Sequence, residues 1–134
     1  MSTLVLMLIA AGGSILLGLP HLLRAFGPTE AEVVSWGQVA LLTGIALAAL
    51  ALLLWRSRRK LAQLVLSLGY GWLALLQVLP IALWILFHGS GISDGSPPSA
   101  FVAHWAYALP HLALFLLSGT CCASACRRAG FPSP

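Results

Sequence analysis

Residues 51–65, ALLLWRSRRKLAQLV, set Arg56, Arg58, Arg59 and Lys60 between two long apolar runs, Val33–Trp55 and Leu61–Phe87. Two further runs lie outside these, Leu4–Leu23 and Phe101–Ala125. About 20 apolar residues let an α-helix cross roughly 30 Å of hydrocarbon. A short basic link between two such runs reads as a tight turn at a membrane face. The expected fold is therefore all-α: one polytopic membrane domain over residues 1–134, with four transmembrane helices in an antiparallel bundle.

Composition supports this reading. The chain is 60% hydrophobic and 7% charged, whereas about a quarter of the residues in a soluble domain are charged. The net charge of +4 does not point to nucleic acid, because the basic residues cluster at span ends and not along a binding face. The first run reads as a retained helix and not a cleaved leader: Met1-Ser2-Thr3 carries no Lys or Arg, and Leu19-Pro20-His21-Leu22 is a poor cleavage site.

Charge sets the expected orientation. Arg127 and Arg128 join the four basic residues of the link, and only Arg24 falls at the opposite face. By the positive-inside rule the Arg56–Lys60 loop and both termini are cytoplasmic. The setting is a bacterial inner membrane or its eukaryotic equivalent. Glu30, Glu32 and Asp94 fall in the two outer loops. In the first of these, Gly27-Pro28 ends a helix and Thr29 with Glu32 forms a capping box. The second, Gly89–Pro98, is rich in helix breakers. Trp36, Trp84 and Trp105 near the outer boundary, and Trp55 near the inner one, read as interfacial anchors.

Small residues that allow close helix approach recur in the spans, including Gly18, Gly37, Gly44 and Gly69, but without an isolated GxxxG. The polar residues expected in the interior are Gln38, Gln63, Ser67, Tyr70, Gln77, Ser118 and Thr120. Gln63, Tyr70 and Gln77 recur every seventh position and share one helix face. They serve either as hydrogen bonds between helices or as a polar lining for a quinone, substrate or ion path, and the first reading is favoured. No Asp, Glu, Lys or Arg occupies the middle of a span. Proton-coupled antiporters and voltage sensors need such a residue. The HExxH motif of zinc proteases is missing too.

All four histidines gather at the face opposite the basic link. His21 and His111 lie inside the boundary and each follows a proline, in Leu19-Pro20-His21-Leu22 and Leu109-Pro110-His111-Leu112. Pro20, Pro80 and Pro110 leave the carbonyls of Leu16, Leu76 and Ala106 without a helical donor. His21 with His111 is the expected pair for a cofactor, haem b held axially or another metal, with His88 and His104 as the shallower alternative pair. The competing reading gives His21 and His111 only hydrogen bonds between helices, and leaves His88 and His104 interfacial. Cys121, Cys122 and Cys126 form no disulfide framework. They read as small buried residues, with S-acylation beside Arg127 and Arg128 as an alternative.

The expected function is that of a non-catalytic integral subunit or accessory protein of a larger membrane complex. It would work among lipid and other membrane subunits, or by self-association. A redox protein using the outer histidines is one alternative, and a small homo-oligomeric carrier or channel for a neutral substrate is another.

Overall fold

A computed structural model describes residues 2–23, 31–90 and 104–131. All regular structure among them is helical: α1 (Thr3–Leu22), α2 (Ala31–Leu54), α3 (Lys60–Leu76), α4 (Val78–Ser90) and α5 (Trp105–Arg128). Four segments are long and apolar enough to cross a membrane, with α3 and α4 together forming the third. The Gly27-Pro28 break, the Thr29–Glu32 capping box, Arg24, Asp94 and residues 91–103 lie outside the described residues.

The third span departs from the continuous run Leu61–Phe87. It breaks at Gln77, three residues before Pro80. Gln77 keeps right-handed helical dihedrals, φ −80° and ψ −14°, and its N–H bonds back to Ala74 O at 3.0 Å. Proline has no N–H to give to the carbonyl four residues earlier, so the ladder tightens for one turn and resumes. The helix then runs through Ser90, past the glycine at which the loop was expected to begin. The helix of the fourth span starts at Trp105. His104 caps it, its Nδ1 accepting from Ala106 N at 3.1 Å. Its other end closes as a Schellman motif: Phe131 N bonds Cys126 O, Gly130 N bonds Arg127 O, and Gly130 takes φ +87°.

Packing follows the small residues and not hydrophobicity, as expected where the solvent is itself hydrocarbon. Leu42, Ile45, Leu52 and Leu53 of α2 are exposed, while Gly37, Ala40, Gly44 and Ala51 are buried. The two backbones come so close that a Cβ on Gly44 would lie 2.6 Å from Ala11 O, and one on Gly18 2.7 Å from Gly37 O. Ser14 Oγ donates to Ala40 O at 2.7 Å across the same interface. Numbers that rise in α1 meet numbers that fall in α2, so the pair is antiparallel. α3 and α5 pair in the same sense, through Ser67 with Cys122 and Gln77 with His111. Tyr70 joins the two pairs, its hydroxyl donating to Met7 O at 2.8 Å.

At the basic end, Arg128 donates to Trp55 O at 3.0 Å and to Thr3 Oγ1 at 3.1 Å. The start of α1, the α2–α3 turn and the end of α5 therefore share one end of the bundle. Two residues expected inside are found outside. Gln38 is exposed because it falls between the buried positions Gly37 and Ala40 on the outer side of α2. Thr120 is exposed and satisfies itself by donating to Leu116 O at 2.8 Å, a local bond that frees a hydroxyl from needing a neighbouring helix.

Candidate functional site

The histidine end of the bundle holds one buried group of polar and aromatic side chains, drawn from every span. α1 contributes His21, α2 Trp36, the α3–α4 break Gln77, and α5 Tyr107 and His111. His21 and His111 lie with ring centroids 6.3 Å apart and planes inclined at 41°. Trp36 stands against both, at 4.9 Å from His21 and 5.4 Å from His111, edge-on to each. Tyr107 closes the other side, 4.8 Å from His111 and 6.1 Å from His21.

Proline chemistry explains why these groups meet here. Pro80 leaves Leu76 O without a helical donor, and Trp36 Nε1 supplies one at 2.9 Å. This places the indole against the break in the third span. Trp36 is thus a buried structural donor as well as a residue near the boundary, and its partner is the carbonyl that the sequence exposes.

The same break turns the Gln77 amide toward α5. Gln77 Nε2 donates to Leu73 O at 3.3 Å, and Gln77 Oε1 lies 2.8 Å from His111 Nδ1. Because Leu73 O only accepts, the amide nitrogen must face it and the amide oxygen must face the histidine. In its neutral form His111 therefore carries its proton on Nδ1 and keeps a lone pair on Nε2. An N–H held this way fixes both tautomer and ring orientation, as in histidines that act as ligands or bases.

The remaining candidates are engaged separately. His88 stacks on Trp84 at 5.2 Å and meets Trp105 at 5.6 Å, while exposed His104 is the α5 cap. On the face shared by Gln63, Tyr70 and Gln77 all three are buried. Their bonds run to three different places: the α2–α3 turn for Gln63, α1 for Tyr70, and α5 for Gln77. Cys121 is buried in the core, Cys122 Sγ lies 3.4 Å from Ser67 Oγ, and the three thiols are unbridged.

Haem b does not fit the expected pair in this packing. An axial arrangement needs the porphyrin between the imidazoles, and Trp36 and Tyr107 already pack against both rings. A closed zinc site takes four protein ligands. Among the described residues no third His, Cys, Asp or Glu stands with His21 and His111. What the arrangement offers is an oriented, desolvated imidazole with a fixed lone pair, enclosed by aromatic rings. Sequence reasoning missed Trp36 and Tyr107 as members of this group; the free Leu76 carbonyl was the signal that a donor had to arrive there. No protein-family model, no curated protein and no solved structure matches this chain.

Proposed function

We propose that the chain is a non-catalytic integral membrane subunit or accessory protein. In this reading it lies with the Arg56–Lys60 turn and both termini on the cytoplasmic side and acts by lateral association with other membrane proteins. The observation that carries it is the internal use of the polar groups buried at the histidine end. Trp36 is tied to Leu76, Gln77 to Leu73 and His111 to Gln77. A carrier needs polar groups that its substrate can engage, and an axial haem needs the space that two aromatic rings take up. An apolar exterior suits a protein whose working surface is its flank.

Purification of the full-length protein from its native membrane in mild detergent tests this. The expected result is a complex with other membrane polypeptides in fixed stoichiometry that survives size-exclusion chromatography. A chain that runs alone, or only with itself, overturns the reading, and solute flux through liposomes containing that species would favour the carrier instead.

A further inference from the structure

The basic end holds a cavity of about 530 Å³ lined by Trp55, Arg56, Ser57, Arg58, Gln63 and Arg128. Three arginines from two distant parts of the chain line one space. Arg128 is fixed, because its two terminal nitrogens hold Trp55 O and Thr3 Oγ1. Arg56 lies with its guanidinium carbon 5.0 Å from the Trp55 ring centroid, within cation–π range.

Among the described residues no carboxylate lines the cavity. Glu32, in the first turn of α2, stands at the opposite end of that helix from the cavity. The 24 residues of α2 separate the two ends by about 36 Å at the α-helical rise. The C-terminus of a helix would ordinarily repel an anion through its unpaired carbonyls. Here several carbonyls around the turn are occupied: Ala51 O accepts from Trp55 N, Leu54 O from Ser57 N and Gln63 Nε2, Ser57 O from Gln63 Nε2, and Trp55 O from Arg128. The cavity thus has the donors for an anion, with the opposing dipole blunted.

Its position selects the kind of anion. It opens where a membrane span ends, at the level of lipid headgroups, and basic pockets between transmembrane helices bind anionic heads there. Leu52, Leu53 and Leu61, immediately beside the turn, are 60%, 77% and 71% exposed, which gives acyl chains an apolar surface next to the charges. The planar fork of arginine matches phosphate oxygens in pairs. We propose that this cavity binds the phosphate of an anionic phospholipid headgroup, with Arg128 as the fixed donor and Arg56 and Arg58 closing on it. The proposal rests on the membrane-spanning fold and not on the subunit reading, and it is tested on the isolated chain.

Native mass spectrometry of the full-length protein in neutral detergent counts bound lipid during titration with phosphatidylglycerol or with phosphatidylcholine of the same acyl chains. The expected result is one phosphatidylglycerol held at least about tenfold more tightly than phosphatidylcholine. Arg56→Gln with Arg58→Gln removes that preference. Arg59→Gln with Lys60→Gln removes the same charge from positions that do not line the cavity, and changes it less than about threefold. Neither pair touches a hydrogen bond that holds Arg128, and unchanged thermal unfolding would confirm that both variants fold. Equal losses in the two pairs would reduce the effect to diffuse charge and overturn the site. Equal retention of the two lipids overturns it as well. Inorganic phosphate that competes as tightly as the lipid, with the same dependence on Arg56 and Arg58, overturns the lipid as the source and assigns the cavity to a soluble phosphate.

Discussion

The indole Nε1 of Trp36 donates to the carbonyl of Leu76 across 2.9 Å, in the place of the amide that Pro80 lacks. Tyr70 makes a similar bond to Met7 O at 2.8 Å, yet the two should differ in value. Met7 O lies inside α1 and already has a helical donor, whereas Leu76 O does not. Losing the tyrosine bond leaves no orphan; losing the tryptophan bond leaves a part-buried carbonyl unpaired.

Trp36→Phe is expected to cost about 1–3 kcal/mol of stability, the desolvation penalty of an orphaned acceptor. Tyr70→Phe should cost about 0.6 kcal/mol, the mean for hydrogen bonds between membrane helices. In a Pro80→Ala background the alanine N–H takes Leu76 O, and the cost of Trp36→Phe should fall by about 1 kcal/mol, a coupling typical of contacting residues. Thermal or SDS-induced unfolding in detergent, followed by circular dichroism, measures all three.

His111 is expected to be a neutral imidazole protonated at Nδ1, because the Leu73–Gln77 bond fixes the amide. Nitrogen chemical shifts of selectively labelled histidine read this tautomer directly. A signal from the Nε2-protonated form would mean that the amide is reversed.

Gln77→Leu should destabilise by about 1–3 kcal/mol, since it strands the buried Nδ1–H. The double variant Gln77→Leu with His111→Phe should recover the part of that loss due to the stranded Nδ1–H, while Leu73 O still loses the bond from Gln77 Nε2. If the double variant unfolds as readily as the single one, the pair is not an isolated unit.

Gly18→Ala, Gly37→Ala and Gly44→Ala should each destabilise by about 1–3 kcal/mol, the usual cost of overpacking. Each new methyl would meet backbone atoms of the facing helix at 2.9 Å or less, and backbone cannot swing aside as a side chain can. Gly12→Ala and Gly119→Ala, where a Cβ meets nothing within 4 Å, should be neutral or slightly stabilising. Unfolding midpoints of the five variants provide the comparison.

Haemin added to the detergent-purified protein should give no bis-imidazole absorption spectrum. A Soret shift lost in both His21→Ala and His111→Ala would show that the Trp36 and Tyr107 rings give way to a porphyrin.

The spans and the basic turn were legible because each is a run: twenty apolar residues, or four charges in five positions, need no knowledge of neighbours. The shared face of Gln63, Tyr70 and Gln77 was legible for a similar reason, since helical period alone decides it. Gln38 and Thr120 show where that reasoning stops. A polar residue in an apolar run has a face only once its helix has partners, and in hydrocarbon no hydrophobic pattern marks which face that is. The pairing of α1 with α2 was written in Gly18, Gly37 and Gly44, but only as permission for close approach. His21 and His111 were picked out by depth and by their prolines. Trp36 was not, because a tryptophan near a boundary has a sufficient explanation already. The unpaired Leu76 carbonyl was visible in Pro80; which donor fills it depends on how α2 registers against the third span.

The bond between Trp36 and Leu76 spans forty positions of sequence, and its consequence falls in the order of synthesis. When α1 and α2 enter the membrane as a hairpin, their glycines can already meet, but the indole has no carbonyl to receive it. Gln77 in turn waits for His111, which arrives with the last helix. At the basic end Gln63 can bond the α2–α3 turn while translation continues, but Arg128, which ties that turn to the start of α1, also arrives with the last helix. A ribosome stalled before α5 would leave behind a bundle closed at neither end, with Gln77 Oε1 still seeking a donor inside the lipid.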